Sequence, residues 1–200
     1  LIKTVLRDFV SHGAPEDILS SARPHVGTDY LKKVVSGIEA EIISLGGEIH
    51  YKTKFDGFDY GGGRSIRSVR TGQGDTECGA LMLAIGHSAR DTFEMLGGTA
   101  LVITPKPFSV GVRIEHLQEN IDKGLYGDLA GDPRLPKGEY NLSCHIGGRG
   151  VYTFCMCPGG EVVAAASEHG GVVTNGMSSY SRSGKNANCA VAVSVLPDDF

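Results

Sequence analysis

The sequence predicts an α+β fold, and three observations lead there. Apolar residues near the amino terminus follow helical spacing, the spacing changes to alternation from Glu48 onward, and paired glycines separate short apolar runs through most of the remainder. Ile2, Val5, Leu6, Phe9 and Val10 form one helical face that Gly13 can end, and Pro15 can open a short second helix through Ile18 and Leu19. A stronger helix is expected from Thr28, read as its N-cap with Asp29 in the first turn. It places Leu31, Val34, Val35, Ile38 and Ile42 on one face and stops at Gly46-Gly47.

From Glu48 the alternation of Ile49, Tyr51 and Phe55, the turn Gly61-Gly62-Gly63, the pair Ile66 and Val69, and then Gly72 and Gly74 predict a three-stranded antiparallel meander. Ala80 to Ile85 is continuously apolar, as in a strand buried on both faces, and leads through Gly86-His87-Ser88-Ala89-Arg90 into a helix with Phe93, Met95 and Leu96. Pro105 and Pro107 mark a change of unit, so a boundary is placed near Thr104, giving regions 1–103 and 104–200. In the second region a strand is expected over Phe108 to Ile114 and a short helix over His116 to Lys123. Five further short strands follow, over Tyr140 to His145, Val151 to Met156, Glu161 to Ser167, Gly171 to Asn175 and Ala190 to Val195. An antiparallel sheet is the simplest way to pair them.

Composition narrows the function. A formal net charge of −4 with interspersed signs provides no basic stripe, so nucleic acid is not an expected partner. No apolar run approaches the roughly 20 residues that span a bilayer, so no membrane is expected. Five cysteines, an odd number, fit a reducing cytoplasmic setting. Leu1 and the closing Pro-Asp-Asp run read as internal points of a longer chain, so the remainder of a parent chain is an expected partner.

Four constellations carry chemistry. Gly86 at the end of an apolar strand lets a ligand approach the backbone, and the following helix start offers N–H groups to an anion; a plain strand-to-helix turn explains it equally. Arg113 and Glu115 share a strand face and could hold a substrate carboxylate, with His116 as acid or base. The alternative is a mutually paired Arg and Glu with a surface His. Cys155-x-Cys157 suits a redox pair, buried structural thiols or a soft metal, and Pro158-Gly159-Gly160 makes a turn whose backbone can lie flat against a planar ring. Asn175-Gly176 favours a hairpin turn.

Four motifs in order carry a resemblance. Gly86-His87-Ser88-Ala89-Arg90-Asp91-Thr92, Lys106 to His116, Cys155 to Val162 and Asn175-Gly176-Met177-Ser178 together resemble FAD-dependent proteins termed NAD(FAD)-utilising dehydrogenases, from about Val26 onward. The resemblance implies two parts of a two-dinucleotide-binding-domain flavoprotein. Residues 1–103 would be part of its FAD domain (helices, meander and buried strand), and 104–200 an inserted, mainly antiparallel domain over the flavin. It implies FAD as cofactor, held by Gly86, His87, Ser88, Ala89, Arg90, Gly159 and Gly160, and hydride transfer to or from a small-molecule substrate, with NAD(P)H as a co-substrate.

Arg113, Glu115, His116, Cys155 and Cys157 are then the catalytic candidates, and no metal is expected. The sequence departs from the family in lacking a Gly-x-Gly-x-x-Gly loop. Gly72-x-Gly74 has no third Gly at the needed spacing, and Gly148-x-Gly150 meets Thr153 there. The isolated chain is therefore expected to be inactive and to bind FAD poorly. Two rival readings are a metal-binding or ligand-binding module using Cys155, Cys157 and Cys144, and a scaffold that works only in protein association.

Overall fold

A computed structural model describes residues 1–62 and 65–199. Gly63, assigned above to the first glycine turn, and Phe200, in the last region, lie outside the described residues. The chain forms two compact units, one of residues 1–47 with 106–199 and one of 48–105. The opening helices thus cluster with the carboxyl-terminal sheet, and the second junction falls at Pro105/Lys106, beside the boundary placed at Thr104.

In the first unit, α1 (Ile2–Ser11) is followed by a 3-10 turn (Glu16–Leu19) and α2 (Thr28–Ser44). The expected apolar faces meet: Ala14, Ile18 and Val34 are buried, with Leu6, Phe9, Val10, Val26 and Ile38 packed around them. The end of α2 is closed by Gly46 N–H to Ile43 O and Gly47 N–H to Ile42 O, the paired bonds that satisfy terminal carbonyls.

Its start differs from the expectation. Gly27 is the cap and Thr28 the first helical residue, without a side-chain cap. The free donors and acceptors are met from a distant loop instead. Thr28 N–H donates to Ser178 O, and Tyr180 N–H donates to Asp29 Oδ1 at 2.9 Å. That backbone donor, ahead of smaller effects, holds the Asp29 carboxyl below its usual range.

The main sheet holds β4 (Phe108–Leu117), β5 (Ser143–Ile146), β6 (Arg149–Cys157) and β9 (Asn186–Val195) in the antiparallel order β4-β9-β6-β5. A hairpin of β7 (Glu161–Ala164) and β8 (Thr174–Met177) completes the strands of this unit. Helix α4 (Gln118–Tyr126) follows β4 directly. It starts two residues later than expected because β4 stays paired to β9 through Leu117.

Asn175-Gly176 is no hairpin turn; both residues lie within β8. The reason is a close approach. A Cβ on Gly176 would sit 2.2 Å from Asn188 Oδ1, 2.4 Å from Arg113 Nη1 and 2.8 Å from Cys157 Sγ, so only glycine fits against that cluster.

The second unit contains the predicted meander β1 (Phe55–Tyr60), β2 (Ile66–Thr71) and β3 (Gly74–Glu77), paired in that order, and α3 (Arg90–Gly97). Ile49 and Tyr51 precede the first strand rather than belonging to it. The Lys54–Asp91 ion pair, at 2.8 Å, links the start of the sheet to α3.

The expected buried strand over Ala80 to Ile85 is absent: the segment takes no regular secondary structure, and Met82 is 90 % exposed. A strand needs a neighbour to take its backbone N–H and C=O groups. No described strand of this chain is hydrogen-bonded to it. Among the described residues no helix is long and apolar enough to cross a membrane.

Truncating Ile18 to alanine is expected to cost about 2–5 kcal/mol, because the side chain is fully enclosed in a core of only a few residues. Val35→Ala, on the exposed side of α2, should stay within about 0.5 kcal/mol. Denaturant unfolding of the two variants checks the pair.

Candidate functional site

Arg113 leaves the face of β4 that looks along the sheet toward β9 and β6. Its Nη1 donates to Asn188 Oδ1 at 2.7 Å and to Cys155 O at 3.1 Å. Glu115, on the same face, accepts from Asn186 Nδ2 at 2.6 Å. Each member of the Arg-x-Glu pair is therefore bonded to an asparagine of β9 and not to the other. His116 falls on the opposite face of β4, its Nε2 3.4 Å from the Tyr140 hydroxyl, and so does not join the other two. Burial and the nearby Cys189 push the Tyr140 hydroxyl up to about 12.

The two thiols sit across a bulge. Between Phe154 and Cys157, β6 advances three residues while β9 advances two, and Cys155 takes a left-handed backbone, φ 50°. The Sγ atoms lie 3.9 Å apart, with Cys155 exposed and Cys157 buried. Burial, with a smaller contribution from Cys155 and against the opposing effect of Arg113, pushes the Cys157 thiol up to about 11.

Among the described residues no group of three or more His, Cys, Asp or Glu side chains is placed to hold a metal. Cys144, on exposed β5, does not complete a set with Cys155 and Cys157.

Pro158-Gly159-Gly160 follows the bulge and is buried. The space beside its glycines is filled by the chain itself: a Cβ on Gly159 would lie 1.8 Å from Arg182 O, and one on Gly160 2.5 Å from Met177 O. Gly159 N–H donates to the buried Gln118 Oε1 at 2.8 Å, and Gln118 Nε2 donates to Asp122 Oδ1 and Gly138 O. Residues 177–184 are thereby clamped over the turn, with Gly184 N–H donating to Gly159 O.

Sequence reasoning missed Gln118, Asp122 and Asn188. The legible signal was Asn188, set between the small apolar Ala187 and Cys189 in the strand, and Gln118 and Asp122 one helical turn apart.

Beside the bulge a cleft of ≈ 370 Å³ opens, lined by Cys155, Phe154, Met156 and Tyr140 and by Arg23, Glu139 and Arg182 among others. Gly86 to Arg90 belong to the other unit. Gly86 has φ 68°, and a Cβ there would meet nothing within 4 Å. Ala89 is the cap of α3, and Arg90 its first residue.

Residues 107–200 match the family described as FAD-dependent protein, C-terminal domain-like. That region takes in the whole main sheet, the cysteine bulge and the clamped turn, and it is a little under half of the chain. An uncharacterized protein of Clostridium beijerinckii is 48 % identical over 198 residues, covering 98 % of this chain and 37 % of its own length. The chain thus spans little more than a third of that relative.

Alkylation with iodoacetamide near neutral pH should modify Cys155 and Cys144 early and Cys157 and Cys189 late, because the latter two are buried. Peptide mass mapping reads the order. Cys157 also predicts a pH effect on stability. The folded thiol keeps its proton above its ordinary 9.0, so its contribution is intact below about 9 and is lost as pH rises toward about 11. Cys157→Ser should flatten that alkaline loss.

Proposed function

We propose that this chain is part of an FAD-dependent oxidoreductase that transfers hydride between FAD and a small-molecule substrate, with NAD(P)H as the co-substrate. The match of residues 107–200 to an FAD-dependent protein domain carries the reading. Two features of the chain support it. Gly86 combines a left-handed backbone with open space, which suits a backbone that a ligand approaches closely, whereas the space beside Gly159 and Gly160 is already taken by Met177 and Arg182. On the ground of Gly86 we assign FAD to the run Gly86, His87, Ser88, Ala89 and Arg90, and Gly159-Gly160 serve to seat the 177–184 loop.

Bound FAD would supply the two-electron chemistry, while protein groups position the reactants. In that division of labour Arg113 holds the Cys155 carbonyl and so fixes the bulge, and the exposed Cys155 thiol is the group presented to the cleft. The exposed apolar residues Phe108, Val110 and Val112 on one face of β4, together with unpaired Met82, are the surfaces we expect further parts of a parent protein to cover.

The test is the visible spectrum of the longer protein, purified with its cofactor domain. Flavin absorption released as FAD on denaturation is the expected result, and a colourless protein that takes up no FAD would remove the reading. In the same protein Gly86→Asn separates two causes, since Asn tolerates the left-handed backbone but fills the space. It should lower FAD occupancy with little change in melting temperature; full occupancy would show that Gly86 serves only the turn.

A further inference from the structure

We propose that the cleft beside the cysteine bulge binds a small organic acid, its carboxylate held by Arg23 and Arg182 and its apolar body against Phe154, Met156, Tyr140 and Pro24. The charge on the cleft wall is unbalanced. Arg23 Nη1 lies 2.9 Å from Glu139 Oε1 and Arg182 Nη1 lies 3.9 Å from Glu139 Oε2, so two guanidinium groups share one carboxylate. His25, also on the wall, turns its Nε2 to Ser179 O and is committed there. One positive charge is left over, which a carboxylate balances and a phosphate dianion overshoots.

Arg182 carries two further marks. Its Nε is enclosed with no hydrogen-bond partner, a donor that costs free energy until an acceptor arrives. Its backbone is left-handed, φ 49°, a strained state for a residue with a Cβ. The carbonyl packed on Gly159 and the Gly184-to-Gly159 hydrogen bond hold that conformation, so the side chain enters the cleft from a fixed base.

The same wall carries apolar surface from Phe154, Met156 and the Tyr140 ring, beside the polar Asn141 and Thr153. Phe154 is 63 % exposed although it lies in the middle of a sheet strand, and Met156 and Tyr140 stand beside it. A volume of ≈ 370 Å³ suits a ligand of small-metabolite size. The exposed Cys155 lines the same cleft, so an acid anchored at the arginines would lie against the thiol. That this acid is the substrate rests on the oxidoreductase reading above; that it binds does not, and binding is measured without flavin.

The experiment is calorimetric titration of the purified protein with phenylacetate, hexanoate and inorganic phosphate. Phenylacetate and hexanoate should bind and phosphate should bind more weakly. Arg23→Gln and Arg182→Gln should each weaken phenylacetate about tenfold, the loss expected for one charge-assisted hydrogen bond. Glu139→Gln should tighten it several-fold, because it removes the carboxylate that competes for both arginines.

A merely structural Arg-Glu cluster gives the opposite sign, with Glu139→Gln lowering the melting temperature and leaving affinity unchanged or worse. That result, tighter binding of phosphate than of phenylacetate, or no heat with any of the acids in the millimolar range would overturn the proposal. Arg23 is on the surface, so its variant reads the site even if Arg182→Gln fails to fold.

Discussion

The Arg113–Asn188 hydrogen bond is the contact on which the arrangement of the first unit depends. Asn188 is fully buried in the central strand β9, and its Oδ1 takes the Arg113 donor from β4 while the same guanidinium nitrogen reaches the carbonyl of Cys155 on β6. Three strands are therefore pinned at one level, at the point where β6 bulges. Gly176 of β8 lies directly on this group, and a single methyl there would collide with Asn188, Arg113 and Cys157 together. A buried polar group costs free energy unless it is bonded. Asn188 Oδ1 is met by Arg113 although its enclosed Nδ2 has no partner among the described residues, and that one bond ties the bulge, the hairpin and the sheet in register.

The end of β8 and the segment after it extend that control. They reach Gly160 through Met177, the start of α2 through Ser178 and Tyr180, and Gly159 through Arg182. One loop thus fixes the entry of a helix far away in sequence, closes the Cys-Pro-Gly-Gly turn, and sets the base from which Arg182 enters the cleft. The function proposed for the cleft draws on this arrangement, because Arg182 and the exposed Cys155 thiol both sit on backbone in the left-handed region.

Much of the secondary structure was legible because it rests on local signals. The helical faces of Ile2–Ser11 and Thr28–Ser44, the meander from Phe55 and the strands after Lys106 follow from apolar period and turn glycines. What failed depended on distant partners. Ala80 to Ile85 has the composition of a buried strand, but pairing is a property of two segments, and none is hydrogen-bonded to it here. Asn175-Gly176 has the dipeptide of a hairpin turn, yet its glycine is demanded by residues far away in sequence on β4, β6 and β9.

The site was legible in part for the same reason. Arg113, Cys155 and Cys157 were found by residue type and spacing, and they do come together. His116 falls on the other face of its strand, and Asn188, Gln118 and Glu139 drew no attention because their roles appear only when the strands are paired.

A double-mutant cycle on Arg113 and Asn188 tests the central contact most directly. Unfolding free energies of Arg113→Ala, Asn188→Ala and the double variant should show a coupling of about 1 kcal/mol or more, as expected for a charge-assisted bond in a buried network. Losses that add within about 0.3–0.5 kcal/mol would contradict the account, because the two residues would then act independently and the register of sheet, bulge and hairpin would have to be set elsewhere.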